Sequence, residues 1–465
     1  MIAVTQATRM TPTVRFFALL PFLLVLIPMA GRLLGLPVPN SLILFCLLIA
    51  MMLTGTPISI ALGLTVLTFV VTMTEVPLQS VALKLFTGIE KFEIMAIPFF
   101  ILAGNFLTYG GVARKMINFA MTVIGHLNGG LALAGIIACA MFALVCGSSV
   151  ATVVAIGSIV LPEMVRRGYP MAFGAGVITV AGSLGILMLP SIPKVIYAIA
   201  TNTSIGALFV AGLLPGIMLT TMLCTVTWYI ARKRGYARMP KATWGERWKA
   251  FRESVWGLML VVIIIGGIYS GIFTATEAAA VSAVYAFFVS AFVYKAMPVR
   301  DTPKVLLRSA NMSAMLLYII TNAALFSFIL TSENIPHALA DWILGKDMGW
   351  IGFLLLANVL LLIAGNFMEP SSIILIMAPI LYPAAVALGI NPVHLGILID
   401  VNMEVGLCHP PVGLNLYVAS GISRMGITEL TKAVMPWLIT MLVFLVIVTY
   451  WPWLSLSVPK ALGML

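Results

Sequence analysis

GILMLPSIP at Gly185–Pro193 and GLCHPPVG at Gly406–Gly413 interrupt two apolar segments at matching places, 406 − 185 = 221 residues apart. Proline lacks the N–H that a helix interior needs, and its ring clashes with the turn before it, so neither segment can be one regular helix. Other positions recur at the same spacing: Pro162, Gly168 and Pro190 return as Pro383, Gly389 and Pro411. Thr54 and Thr56 stand before one apolar span and Thr274 and Thr276 before another, at 274 − 54 = 220. The chain carries one interrupted pattern twice.

Composition fixes the solvent in which that pattern works. Of 465 residues 62% are hydrophobic and only 9% charged, against roughly 45–50% and 25% in soluble globular chains. This is the composition of a polytopic membrane protein, with apolar stretch for roughly a dozen crossings of about 20 residues each and no room for a large soluble domain. Cys46, Cys139, Cys146, Cys224 and Cys408 are scattered through apolar surroundings without metal-type spacing, so neither a zinc site nor a disulfide framework is indicated. A formal charge of +11 suggests nucleic acid only until the basic residues are placed. Arg232, Lys233, Arg234, Arg238, Lys241, Arg247, Lys249 and Arg252 crowd one central linker, and Lys295, Arg300, Lys304 and Arg308 mark a second loop. Both loops are assigned to the cytoplasm by the positive-inside rule.

The same rule orients the rest. Arg9 and Arg15 precede an apolar run from Phe16 to about Ala30 with no A-x-A cleavage site after it, which reads as a retained first span outside the repeat, its N-terminus cytoplasmic. Segments 41–53 and 57–74 then cross in and out, and 84–110 returns to Arg114 and Lys115. Segments 129–145 and 150–165 must enter and leave by one face, because Arg166 and Arg167 close them on the cytoplasmic side; that is a re-entrant hairpin. In the second half Ala387 and Leu388 stand where those arginines were, so the equivalent loop faces outward, and basic residues return only at Arg424 and Lys432. Opposite charge bias at matched positions is what an inverted-topology repeat predicts.

The expected organisation is all-α and polytopic. An extra helix occupies 1–38, a first repeat 39–231 with a hairpin at 129–165 and a broken helix at 171–200, and a basic linker 232–253. A second repeat fills 254–459 with a hairpin at 351–388 and a broken helix at 393–422, leaving the C-terminus periplasmic. Cys146-Gly147-Ser148-Ser149 and Gly365-Asn366-Phe367-Met368-Glu369-Pro370-Ser371-Ser372 are the hairpin tips.

Carbonyls freed at such tips and breaks are tolerated in lipid only if buried in protein or turned to a polar cavity, where they become ligands for a hard cation; half-helix N-termini offer N–H groups to an anion. Neutral serine oxygens suit weak, reversible sodium binding better than a tight divalent site. Intramembrane ionisable groups cost at least about 2.5–3.5 kcal/mol on insertion scales and are functional candidates by default. Here they are Lys194, Glu369, Asp400, Glu404 and His409; Glu93 and Glu277 lie near embedded segments without a legible role. The plainer reading of any one segment is a kinked helix with Gly and Ser at a packing interface. An intramembrane serine protease using Ser148 or Ser149 with His409 is disfavoured, since no GxSG, HExxH or paired-aspartate motif is present. A channel is the other rival.

These residues resemble the large membrane subunit of tripartite ATP-independent periplasmic (TRAP) transporters from about Pro39 to Pro459. The carriers of the resemblance are FEIMAIPFFILAGN (Phe92–Asn105), GSSVATVVAIGSIVLPEM (Gly147–Met164), GILMLPSIPKVIYAIA (Gly185–Ala200) and NMEVGLCHPPVGLNLYVASGI (Asn402–Ile422). The resemblance implies a sodium-driven elevator-type importer in a bacterial inner membrane. A small four-helix membrane subunit and a periplasmic substrate-binding protein would be its partners, with sodium ions and no other cofactor. The fourth motif is most similar to the C4-dicarboxylate branch, which takes succinate, malate or fumarate; the alternative within the family is import of another organic acid, such as a sialic or sugar acid. Sodium is expected at Gly147, Ser148, Ser149 and Gly185 in one half and at Ser371, Ser372, Gly406 and His409 in the other; Ser148, Lys194, Glu369, Pro190 and Pro411 are expected to face substrate. The chain departs from the family pattern in having Leu189 before Pro190 where a proline pair is usual, His409 where many members carry Thr, and Lys194 at a usually apolar position.

Overall fold

The computed structural model describes residues 12–35, 37–236, 238–346, 349–366, 368–410 and 413–465, and every regular element among them is a helix. In a bilayer the chain has no water to satisfy its backbone, and helices close their hydrogen bonds within the segment. Among the described residues nine helical stretches are long and apolar enough to cross a membrane. Shorter apolar helices, Asn40–Leu53, Ile58–Met73, Gly130–Cys146 and Trp350–Gly365 among them, complete the set.

The chain forms two compact units, one of residues 1–90 and 315–342, the other of residues 91–314 and 343–465. In the first, Asn40–Leu53 ends at Thr54, whose hydroxyl donates to the Met51 carbonyl at 2.6 Å, and Gly55 turns the chain at φ +82° into Ile58–Met73. Gly63 leaves room for the Asn322 carboxamide, and the Phe45 and Phe326 rings meet edge to face at 6.2 Å.

The second unit is built around the interrupted segments. The first expected hairpin is the helix pair Gly130–Cys146 and Ser149–Arg166, which pack on each other across Gly147 and Ser148. The second is Trp350–Gly365 with Pro370–Ala387. Their first arms have 17 and 16 residues, which at 1.5 Å per residue is about 25 Å of helix, short of a hydrocarbon core of about 30 Å. The first interrupted segment is Met171–Ala181, Leu184–Leu187 and Ile192–Thr201; the second is Pro392–Cys408 and Leu414–Ser423. Over Met171–Thr201, 94% of the most apolar window is buried, against 28% for Trp244–Tyr269. The broken segment is therefore interior, while the helix after the linker offers most of its surface to lipid or to a partner.

The helix pairs exchange partners across the halves. Each first arm rests on its own half's interrupted segment, Gly130–Cys146 on Leu184–Leu187 and Trp350–Gly365 on Pro392–Cys408. The second arms reach across: Ser149–Arg166 packs on Leu414–Ser423, and Pro370–Ala387 on Ile192–Thr201.

Two local features refine the sequence reading. Within the basic linker, Thr243 and Glu246 form a capping box, Glu246 Oε2 accepting from Thr243 N at 2.7 Å, so residues 244–253 already belong to the next helix. Glu277 does the same at the start of Ala275–Phe288, accepting from Thr274 N at 2.8 Å, so its role is a helix cap.

Met171–Ala181 meets Ile427–Tyr450 through Gly176, where a Cβ would lie 2.7 Å from the Ala433 carbonyl and 2.8 Å from the Trp437 ring. Gly176→Val is expected to lower stability by about 1–3 kcal/mol through overpacking against backbone, read as an earlier thermal midpoint of the detergent-solubilised chain. A midpoint equal to the wild type's would show that these helices are free to separate.

Candidate functional site

Both breaks and both helix-pair tips lie within the second unit. Gly147 ends Gly130–Cys146 in the left-handed conformation at φ +62°, open to glycine at little cost. A Cβ there would run into the Pro190 carbonyl oxygen, and one on Gly185 would lie 2.7 Å from the Ser148 carbonyl. The tip and the break of the first half thus meet backbone to backbone, bringing together Gly147, Ser148, Gly185 and Pro190. Ser148 also caps Ser149–Arg166 by accepting from Ala151 N at 3.4 Å.

The second half repeats the arrangement with different residues. A Cβ on Gly406 would lie 2.9 Å from Gly365 Cα, so two glycines again set the approach. Beside them His409 Nδ1 donates to Asn366 Oδ1 at 2.7 Å. Glu369 is half-buried and caps Pro370–Ala387, accepting from Ser372 N at 3.2 Å and from the Ser372 hydroxyl at 3.1 Å. A carboxylate at a helix N-terminus is stabilised by the N–H groups exposed there. Ser371 and Ser372 are buried beside it. Pro411, expected to face substrate, lies outside the described residues.

One side chain that the motifs did not single out joins the halves. Asn415, wholly buried, donates to Ser149 Oγ at 2.7 Å and to the Thr179 carbonyl at 3.3 Å. Its own half supplies a weaker contact, Cys408 Sγ at 3.7 Å. Because Ser149 bonds to Asn415 and His409 to Asn366, each residue of the rejected protease pair has a partner other than its supposed mate.

Lys194 takes a position the sequence did not foresee. Its side chain is wholly buried, and its ammonium donates to the Ile186 carbonyl at 3.2 Å and to the Leu187 carbonyl. Asp400 Oδ2 stands 3.8 Å away. These contacts are with the protein's own oxygens.

Replacing Asn415 by leucine removes the donor to the Thr179 carbonyl and the partner of the Ser149 hydroxyl. Orphaned buried groups cost about 1–3 kcal/mol each. N415L is therefore expected to melt earlier than wild type, with S149A adding little to it in the double variant. Full additivity of the two substitutions would mean that the hydrogen bond contributes nothing.

Comparison with known proteins places the chain in a family. Residues 45–454 match the family model described as "Tripartite ATP-independent periplasmic transporter, DctM component". The chain is 66% identical over 439 residues to the C4-dicarboxylate TRAP transporter large permease protein DctM of Rhodobacter capsulatus, covering 91% of this chain and 100% of that protein. It is 53% identical over 386 residues to the protein of the same description from Pseudomonas aeruginosa, covering 83% and 90%. Among solved structures, the Alcanivorax borkumensis YdaH transporter superposes with a TM-score of 0.58 at 16% identity over 82% of this chain and 90% of that one, a likeness of fold. The chain belongs to the DctM family of TRAP transporter large permeases, which are multi-pass membrane transport proteins and not enzymes.

Proposed function

We propose that this chain is the membrane subunit that carries a C4-dicarboxylate into the cell, coupled to sodium, after a periplasmic binding protein delivers it. The observation that carries the reading is the close, buried approach of helix ends at tip and break in each half. Gly147 and Gly185 meet in the first half, Gly365 and Gly406 in the second, and Asn415 bridges them. Freed carbonyls and serine hydroxyls at such a place are hard, neutral ligands suited to an alkali ion that must bind and leave in every cycle. One sodium is assigned to Gly147, Ser148, Ser149 and Gly185, and another to Ser371, Ser372, Gly406 and His409. Substrate is placed between the tips, near Ser148 and Pro190. Glu369 and Lys194 enter this scheme through the helix cap and the buried contacts described above.

The short arms favour re-entrant hairpins, and the cross-packing of second arms favours two inverted copies. Hairpins and broken helices are proposed to move together as the mobile part of an elevator. A small four-helix membrane subunit is assigned as the second membrane component. The chain is placed in a bacterial inner membrane with its N-terminus cytoplasmic and its C-terminus periplasmic. The C4-dicarboxylate assignment is supported by the printed descriptions of the Rhodobacter and Pseudomonas relatives.

Uptake of labelled succinate by proteoliposomes holding the full complex should require both an inward sodium gradient and the binding protein. Ser148→Ala and Ser371→Ala should each raise the half-saturating sodium concentration about 5–10-fold, as loss of one hydroxyl ligand worth about 1 kcal/mol or slightly more implies. Uptake indifferent to sodium in wild type and variants would remove the coupling scheme, and uptake of another organic acid in place of succinate would reassign the substrate.

Orientation has its own test. In a background lacking the five native thiols, a cysteine at the exposed position 387 should react with an impermeant maleimide on spheroplasts, and one at 167 only after the membrane is opened. Labelling of both from one side would refute the inverted arrangement.

A further inference from the structure

Lys194 has a counterpart. The spacing of the breaks, 221 residues, carries Lys194 onto Asn415 and Thr179 onto Asp400, since 415 − 194 = 221 and 400 − 179 = 221. The contacts correspond as well. Asn415 reaches Cys408 in its own break and the Thr179 carbonyl in the other half. Lys194 reaches Leu187, which the same spacing carries onto Cys408, and Asp400 in the other half. One cross-link is neutral and the other charged.

The charged one is built as a cation site. The Ile186 and Leu187 carbonyls close the short helix before the break, where the backbone concentrates negative potential. Asp400 and Glu404, one turn apart and 1% and 0% exposed, add four carboxyl oxygens, none of which makes a hydrogen bond. Ser191, in the same break, is wholly buried with its hydroxyl unpartnered. Gly212 completes the cradle: a Cβ there would lie 2.8 Å from the Lys194 ammonium and 3.1 Å from its Cε. Two buried carboxyl groups lie beside one buried ammonium.

We propose that the Ile186 and Leu187 carbonyls with Asp400 and Glu404 form a monovalent-cation site whose resident ion is the Lys194 ammonium. The chain carries its own counter-ion here, tethered to the first broken helix, and it binds that helix to Pro392–Cys408 of the other half in every state of the cycle. An alkali ion is needed at this place only when the lysine is gone. The site shares no residue with the two sodium positions assigned above, although Ile186 follows Gly185 in the chain, and its test is read as a difference from wild type.

Equilibrium binding of radioactive sodium to the purified full-length chain in detergent provides that test. Lys194→Ala should bind about one further sodium ion per chain relative to wild type, and its thermal midpoint should rise in sodium chloride over choline chloride by more than wild type's does. Both increments should vanish in Lys194→Ala/Asp400→Asn. If Lys194→Ala cannot be recovered from the membrane, Lys194→Asn, which installs the side chain present at the equivalent place, takes the same measurements. A folded variant that binds no more sodium than wild type, or whose extra sodium survives Asp400→Asn, overturns the assignment. Absence of sodium binding by wild type would count against the coupling scheme and leave the increment to decide on Lys194.

Discussion

A carbonyl released inside an apolar unit must find a donor within the chain or turn to a polar cavity, because lipid offers it no donor. That requirement governs the second unit. Pro190 lies in one break and Pro410 in another, and the groups set free near the first have fixed addresses. The Ile186 and Leu187 carbonyls go to the Lys194 ammonium, and the Thr179 carbonyl, in the same segment, to Asn415 of the other half. Each donor stands a few residues beyond a break, on the half-helix that resumes after it. The first break is thus a specified structure, held by one side chain that reaches back across its own gap and one that reaches in from the other half.

The neighbouring tip must also pack closely against the break. Glycine does this. Gly147 and Gly185 in one half and Gly365 and Gly406 in the other stand where any side chain would press on facing backbone. Small residues permit close approach in membrane proteins, where lipid supplies no hydrophobic drive for helices to associate. The serines gain from the same approach: Ser148 and Ser372 lie at helix starts, close to the backbone of the tips.

Much of this was legible in the sequence, because its signals are local. Pro, Gly and Ser clusters within apolar runs placed both interruptions and both tips, and the observed helix ends fall within a few residues of the expected ones, as at Thr201 and Ser423. The charged linker was read as longer than it is because positive charge marks a membrane side and says nothing of helix ends; Thr243 and Glu246, three apart, carried that information. That Glu369 caps a helix and that Lys194 reaches two carbonyls could not be read beforehand, since the sequence does not reveal which oxygens or N–H groups lie within reach. Asn415 sits in the quoted motif, but an asparagine on an apolar helix has no distinguishing pattern of its own. The repeat spacing applied to Lys194 finds it.

The difference between the two cross-links bears on how a duplicated protein becomes directional. A neutral amide donates a hydrogen bond and adds no net charge, so Asn415 ties its helix to the opposite half at little electrostatic cost. An ammonium facing two carboxyl groups in a dry interior is another matter: removing one member leaves buried charge without compensation, which is far more costly than losing an amide hydrogen bond. The first break is therefore the more strongly fixed of the two. Its partner helix, Pro392–Cys408, ends at the second break, where His409 is half-exposed and bonded to Asn366 through a single ring nitrogen.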